Sequence, residues 1–148
     1  MSTAVTPYIK KLAELKTQVT KQAESIVRQL DDEITDFVTE KQLLAKGKDG
    51  KGKLLKEYSS FTIAMKKGKG EIFNRTTLLD TGEFYDDFFT IGRNGNIEIF
   101  STNEKTPKLV KKYGKDIFLL SVENNKIVNS ELILPKLVEW LLKSMPPI

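Results

Sequence analysis

A lysine- and glycine-rich segment, residues 46–53, has the residue types closest to those of a phosphate-binding site. Gly47, four further residues, Gly52 and Lys53 follow the order of a nucleotide-binding P-loop. The next residue is Leu54, where that motif needs the hydroxyl of a serine or threonine to bind Mg²⁺. The residues before the loop have a helical pattern, whereas a P-loop follows a strand. We therefore expect no nucleotide to bind here.

Two groups of acidic residues are the other candidates for chemistry, as metal ligands or as paired carboxylates. Asp31, Asp32 and Glu33 are consecutive within a helical pattern, so their side chains point in different directions and are not expected to form one site. The second group flanks the start of a predicted hairpin and offers oxygen ligands that suit Mg²⁺: Asp80, Glu83, Asp86 and Asp87. No phosphate cradle or general base accompanies them, so we expect no metal site.

The chain contains no histidine and no cysteine. Their absence excludes thiolate nucleophiles, Cys/His zinc sites and the usual catalytic triads. It also removes the side chain that most often transfers protons near neutral pH. We therefore expect no catalytic, metal-binding or cofactor-binding residue, and a protein that is not an enzyme.

The 148 residues are expected to form a single domain, because this length and a hydrophobic content of 39% suit one modest core. No apolar run approaches the ~20 residues of a membrane-spanning helix. Residues 1–7 lack the basic and apolar regions of a secretory signal. The sequence thus predicts no membrane association, and a protein made and used in a cytosolic setting or in an assembly that forms there.

Residues 1–46 are predicted to form a helical segment, mostly one long helix that starts at Thr6 and Pro7. Such a helix would span ~60 Å, more than the diameter of a domain of this size. Either it breaks near Asp31 and folds back, or the N-terminal part of its apolar stripe contacts another chain through Leu12, Leu15 and Val19. The stripe follows steps of three and four residues and consists of Leu12, Leu15, Val19, Ala23, Ile26, Leu30, Ile34 and Phe37.

The rest of the chain is predicted to form a loop and a mixed body. Residues 47–53 are rich in glycine and lysine and are predicted to form a flexible loop. Residues 54–148 are predicted to form an α+β body built on a β-hairpin. A short helix that ends at Gly114 and a C-terminal helix are expected to pack on its small antiparallel sheet.

The hairpin has the clearest local pattern. Two runs rich in aromatic and β-branched residues, 84–92 and 96–101, lie on either side of Asn94 and Gly95. An Asn-Gly pair between two such runs is the strongest short signal for a two-residue hairpin turn. We expect an antiparallel hairpin with its turn at residues 93–96.

Contact with nucleic acid is an alternative function, because the net charge is +4 and the lysines are clustered. Lys48, Lys51 and Lys53 either keep a solvated loop soluble or contact phosphates or an acidic protein surface. The aromatic residues of the hairpin could stack on unpaired bases. A core this small needs large side chains, however, so burial of these residues is the favoured interpretation.

Several segments between residues 58 and 121 follow the order of a known family. Residues 78–84 read Leu-Leu-Asp-Thr-Gly-Glu-Phe, similar to a Leu-x-x-Thr-Gly-x-Leu signature, with Phe84 in place of an aliphatic residue. An aromatic, threonine and lysine segment precedes it at residues 58–68. A hairpin, Tyr113 and Gly114, and the Phe-Leu element of residues 117–121 follow it. The chain resembles the tail-completion and virion-morphogenesis proteins of tailed bacteriophages.

This resemblance implies a function, although the chain differs from the family at some positions. It implies a virion component of the neck or tail end that assembles with itself into a ring and joins other virion proteins, after assembly in the host cytoplasm. Leu79, Thr81 and Gly82 carry the signature, and the glycine permits the turn into the hairpin. Lys115 and Asp116 stand where the family often has proline and arginine. The resemblance implies no catalytic residue.

Overall fold

The structure, a computed structural model, describes residues 5–147. The chain has an α+β fold that combines helices with a two-stranded antiparallel sheet. Two π-helical turns, Thr39–Leu44 and Val128–Ile133, and a 3₁₀ turn, Lys115–Phe118, accompany the regular elements. Those elements are α1 (Thr6–Lys16), α2 (Val19–Gln29), α3 (Asp31–Val38), α4 (Ser60–Gly68), α5 (Glu83–Asp86), β1 (Phe88–Arg93), β2 (Asn96–Ser101), α6 (Thr106–Tyr113), α7 (Val122–Ile127) and α8 (Leu134–Ser144).

The prediction of a long N-terminal helix is wrong, because three shorter helices occupy this part of the chain. The first break follows α1, where the hydroxyl of Thr17 donates to the carbonyl of Glu14 and competes with regular helical bonding. The second break is at Leu30, whose ψ of 17° lies outside the helical range. This second break adjoins Asp31, the position that one of the two sequence alternatives gave for a break, and both α2 and α3 contact β1.

The hydrophobic core lies between the N-terminal helices and the hairpin. Ile26, Ile34 and Val38 of α2 and α3 are almost fully buried, and β1 packs against both helices. The C-terminal half of the predicted stripe therefore packs within the chain. From the other end, α8 packs on α2, and the buried Val128 and Ile133 of the π-helical turn before α8 belong to the same core.

The predicted hairpin is confirmed. Strands β1 and β2 pair antiparallel in a register that sets Arg93 opposite Asn96. Asn94 and Gly95 form the turn with φ values of 52° and 76°, as a type I′ turn requires. The first strand begins later than predicted, since residues 83–86 form α5 instead. Gly82, with a φ of 94°, precedes this helix and redirects the chain into it.

Carboxylates of the N-terminal helices close the outer edge of β1. Asp31 accepts a hydrogen bond from the backbone N–H of Thr90. Glu24 accepts one from the N–H of Asn94, at 3.1 Å. The two elements also approach closely at Gly92, where an added Cβ would lie 2.8 Å from the Cα of Glu24. This edge of the hairpin is thus held directly against α2 and α3.

The C-terminal elements differ from the prediction in where they pack. Beyond the π-helical turn that adjoins it, α8 mainly contacts α2, and α6 mainly contacts the Lys115–Phe118 turn, whereas α2 and α3 are the helices that pack on the sheet. The short helix α6 ends at Tyr113, and Gly114 follows with a φ of 88°, as expected for a terminating glycine. Residues 117–122 begin in a 3₁₀ turn and become extended only at Leu119. The last helical segment consists of α7, a π-helical turn and α8, which are consecutive.

Candidate functional site

The loop that resembles a P-loop is organised around one of its own carboxylates. Asp49 is buried, and its Oδ1 accepts hydrogen bonds from the backbone N–H groups of Lys51 at 2.9 Å and Lys53 at 3.0 Å. Its own N–H donates to the carbonyl of Lys53. In a P-loop such N–H groups bind phosphate. Here a carboxylate occupies them, and the loop follows a helix rather than a strand.

Contacts outside the loop also hold it in place. Gly50 donates to the carbonyl of Asp116 at 2.9 Å, and an added Cβ on Gly50 would lie 2.1 Å from the carbonyl oxygen of Leu119. Lys48 and Leu54 form an isolated antiparallel bridge. The loop therefore has a defined hydrogen-bonded conformation, and its flexibility stays a prediction. Its three candidate contact residues, Lys48, Lys51 and Lys53, are exposed.

The first helix leaves most of its apolar residues uncovered. Ile9 is 62% exposed and Leu12 is 48% exposed, whereas Leu15 is only 2% exposed. Val19, at the start of α2, is half-buried. Of the three residues predicted to contact another chain, Leu12 is thus the most accessible, and Leu15 is covered by the chain itself. Ile9 lies three positions before Leu12 and extends the exposed face toward the N-terminus, and the sequence interpretation did not include it.

A second apolar face lies on α8. Leu134, Val138 and Leu142 are 51%, 43% and 69% exposed, and their spacing of four residues aligns them along one side of the helix. No residue of α8 is buried. The hydroxyl of Tyr8 donates to the carbonyl of Pro147 at 3.2 Å, which places the first turn of α1 beside the residues that follow α8. We call these two sets of residues the terminal apolar faces.

The residues of the family-like signature lie at a cavity of about 340 Å³ between α4, α6 and the segment before α5. Leu79 and Thr81 line it, and Gly82 follows directly. The hydroxyl of Thr81 accepts a hydrogen bond from the N–H of Glu83 at 3.4 Å, so the signature starts the short helix α5. Thr81 and Gly82 thus set the direction in which the chain enters α5 and then the hairpin.

One wall of this cavity contains a buried lysine. The Nζ of Lys66 donates to the carbonyl of Leu79 at 3.0 Å and to a carboxylate oxygen of Glu71 at 3.3 Å. It also lies 5.0 Å from the ring centre of Tyr58, within range of a cation–π interaction. The ammonium group is therefore matched by groups of its own chain, and these contacts explain its burial as structural.

The aromatic residues at the hairpin divide into a buried set and an accessible pair, since Phe89 is half-buried and Phe100 is 40% exposed. Phe84, Tyr85 and Phe88 are buried, and Phe84 meets Phe88 edge to face with ring centres 5.0 Å apart. Tyr85 is buried and donates a hydrogen bond to the carbonyl of Thr77. Its pKa is raised, chiefly by desolvation and next by the nearby charge of Glu40. These three rings are not accessible for stacking on bases, whereas Phe89 and Phe100, whose ring centres are 5.6 Å apart, are partly accessible.

The acidic groups do not assemble into a metal site. Among residues 5–147, no three carboxylates come close enough together to hold a metal ion. Asp31, Asp87 and Asp80 instead contact their own chain, through Thr90, Asn103 and Lys105 respectively. In the same described part of the chain, no helix combines the length and apolar character needed to cross a membrane.

No family model, curated protein or solved structure matches this chain in the three comparisons made. The phage-family resemblance therefore rests on the sequence segments alone.

Two features escaped the sequence interpretation. The first is the hydrogen bonding of the loop to Asp49, which was missed because the segment is dominated by lysine and glycine. The signal that could have found it is the aspartate before a glycine, since an aspartate side chain often bonds to the backbone two residues further on. The exposure of α8 was also missed, because its apolar pattern predicts an amphipathic helix and does not reveal which face its own chain covers.

Proposed function

We propose that this protein is a non-enzymatic structural subunit that self-assembles through the terminal apolar faces. The single observation that carries the proposal is the exposure of five aliphatic residues, Ile9, Leu12, Leu134, Val138 and Leu142, on helices at the two ends of the described chain. Burying such a side chain contributes about 1.5–3 kcal/mol. These side chains are 43–69% exposed, so a partner that covered them would gain about half of that contribution for each residue.

The kind of assembly follows from the sequence resemblance. We propose a tailed-phage virion protein of the neck or tail end, present as a homo-oligomeric ring that contacts other virion proteins and assembles in the host cytoplasm. Contact between the α1 face of one subunit and the α8 face of the next would be heterologous, and heterologous contacts close into rings when the rotation allows. No catalytic residue or cofactor enters this proposal.

Nucleic-acid binding is the weaker candidate. It is favoured by the exposure of Lys48, Lys51 and Lys53 on one loop. Lys51 is already 3.5 Å from the carboxylate of Asp116. Of the aromatic residues at the hairpin, Phe84, Tyr85 and Phe88 are buried, and only Phe89 and Phe100 are partly accessible. DNA binding that weakens as salt is raised would support this candidate, and the substitution of all three lysines by glutamine would then abolish the binding.

Sedimentation velocity of the purified chain tests the assembly. We expect the wild type to form a species of defined mass, alone or with neck proteins from the same phage. Leu12→Asp and Val138→Asp should each reduce it to a monomer that keeps the wild-type circular dichroism spectrum, because both side chains are only partly covered by their own chain. Leu54→Asp is the matched control, since Leu54 is equally apolar and 63% exposed but lies outside both faces.

Two outcomes would contradict the assembly proposal or the contact surface assigned to it. If the wild type stays monomeric with every neck protein, the assembly proposal is wrong. If Leu54→Asp disrupts the assembly as much as Leu12→Asp and Val138→Asp do, the terminal apolar faces are not its specific contact.

A further inference from the structure

The cavity of about 340 Å³ beside the signature is mostly apolar inside, and most of its charged groups are already paired. Lys66 pairs with Glu71 at 3.3 Å. Lys105 pairs with Asp80 at 3.8 Å. Lys69, the fifth charged residue of the lining, is exposed to solvent. Much of the remaining surface belongs to aliphatic and aromatic side chains, among them Met65, Leu78, Leu79, Phe84 and Leu109.

Leu78, in one wall of this cavity, has a left-handed backbone conformation. Its φ is 60°, and it belongs to no turn or helix. A residue with a side chain keeps this unfavourable conformation only where the surrounding structure imposes it, and such residues cluster at ligand-binding sites. Here the constraint comes from Thr77, whose N–H donates to the hydroxyl of Tyr58 at 3.0 Å and whose carbonyl accepts from Tyr85. The N–H of Leu79 donates to the hydroxyl of Thr77 at 3.2 Å. The wall is therefore formed in advance by the chain itself.

Lys66 leaves one hydrogen-bond donor over in the lining of the cavity. An ammonium group has three N–H donors. Among residues 5–147, that of Lys66 bonds to two acceptors, the carbonyl of Leu79 and the carboxylate of Glu71. A ligand that expels water from the cavity without replacing the acceptor of the third N–H would lose binding free energy. A well-matched ligand therefore carries an oxygen acceptor.

We infer that this cavity binds a small, uncharged molecule that has one aromatic ring and a carbonyl oxygen. Sites for small molecules are mostly apolar, contain a few polar groups that fix orientation, and enclose roughly 300–1,000 Å³. An engineered apolar cavity of about 150 Å³ in another protein holds benzene, so this cavity has room for a substituted ring. The rings of Tyr58, Phe84 and Tyr113 in the lining offer edge and face contacts to an aromatic ligand.

The absence of charge on the ligand follows from the ion pairs. The two carboxylates of the lining already have lysine partners, and Lys69 is hydrated at the surface. The inference uses none of the residues of the terminal apolar faces, so it does not depend on the proposed assembly.

Methyl NMR of the full chain tests the inference with acetophenone, an aromatic ketone. With ¹³C in the methionine methyl groups, Met65 reports on the cavity that it lines, and Met145 reports on a position outside that lining. Acetophenone should shift the Met65 signal with a Kd below about 1 mM and leave the Met145 signal unchanged. α-Methylstyrene has the same shape with a CH₂ group in place of the oxygen, so it should bind about tenfold more weakly.

Two substitutions make the test specific. Thr62→Trp adds a large side chain to the lining and should weaken acetophenone binding about tenfold or more. Phe61→Trp is its matched control, because Phe61 is the neighbouring residue of α4 but is 73% exposed and lies outside the lining. Lys66→Met keeps a long side chain and removes the donor, so acetophenone and α-methylstyrene should then bind equally.

Four results would overturn the inference. One is a Met65 signal that does not move at millimolar acetophenone. Another is an equal shift of the Met65 and Met145 signals. The third is equal affinity of the wild type for acetophenone and α-methylstyrene. The fourth is equal weakening of binding by Thr62→Trp and Phe61→Trp, which would place the bound ketone outside the cavity.

Discussion

The carboxylate of Asp31, in the first turn of α3, accepts a hydrogen bond from the backbone N–H of Thr90, which lies 59 residues further along the chain. This bond joins the N-terminal helices to the hairpin and satisfies a strand group that would otherwise be unpaired. Asp31 also adjoins Leu30, where the helical segment breaks. One side chain thus lies at the junction of α2, α3 and β1.

Replacing Asp31 by alanine should destabilise the protein by about 1–3 kcal/mol, because the part-buried N–H of Thr90 would lose its acceptor. Urea unfolding measures the change. Asp32→Ala is the matched control: Asp32 is in the same helical turn but is exposed, so its loss should cost about 0.3–1 kcal/mol through the helix dipole alone. Equal effects of the two substitutions would show that the bond to Thr90 is unimportant.

Gly92→Ala should destabilise the protein by about 1–3 kcal/mol, because the new methyl group would meet the backbone of Glu24 at 2.8 Å. A backbone atom cannot move aside as the end of a flexible side chain can. Thermal unfolding of Gly68→Ala gives the comparison, since an added Cβ at that helical position has open space and should be neutral or slightly stabilising. A Gly92→Ala protein as stable as the wild type would contradict the close approach of α2 and β1.

Asp49→Ala should release the loop at residues 47–53. The amides of Lys51 and Lys53 would lose their acceptor, so their hydrogen exchange should accelerate, and stability should fall by about 1–3 kcal/mol. Lys48→Ala removes an exposed charge from the same loop and should change neither quantity. If the two amides already exchange at the rate of an unfolded chain in the wild type, the flexible loop expected from the sequence is the better description.

Stability should fall in alkaline solution because of Tyr85. Burial raises the pKa of its phenol above the ordinary value of 10.0, so the folded state keeps the proton after the unfolded state begins to lose it. The stabilisation from this group is complete below pH 10 and decreases as the pH rises further.

Tyr85→Phe tests this dependence. At pH 7 the substitution should cost about 1 kcal/mol, through loss of the bond to the carbonyl of Thr77. Above pH 10 the difference from the wild type should shrink, as measured by unfolding at a series of pH values. A wild-type slope in Tyr85→Phe would contradict the assignment.

The hairpin could be predicted from sequence because its determinants are local. Asn94 and Gly95 tolerate positive φ, and the strands beside them are rich in residues that favour sheets. The end of α6 at Gly114 was predictable for the same reason. Neither feature required knowledge of the rest of the fold.

The helix breaks and the exposed faces depend on distant contacts and so could not be predicted in the same way. No proline or glycine marks Leu30, and its break accompanies contacts of α2 and α3 with a strand far along the chain. Leu12 and Leu15 lie on the same predicted apolar stripe, yet only Leu15 is buried by its own chain. Whether an apolar residue is core or contact surface depends on where the remaining elements pack.

The separation between Asp31 and Thr90 has a consequence for synthesis on the ribosome. Helices α2 and α3 are translated long before β1, although β1 packs against both of them. At roughly 5–20 residues per second, the intervening stretch takes several seconds to add. During that interval the nascent chain presents Ile26, Ile34 and Val38 without the strand that packs beside them, and is open to chaperones or to neighbouring nascent chains of the same protein.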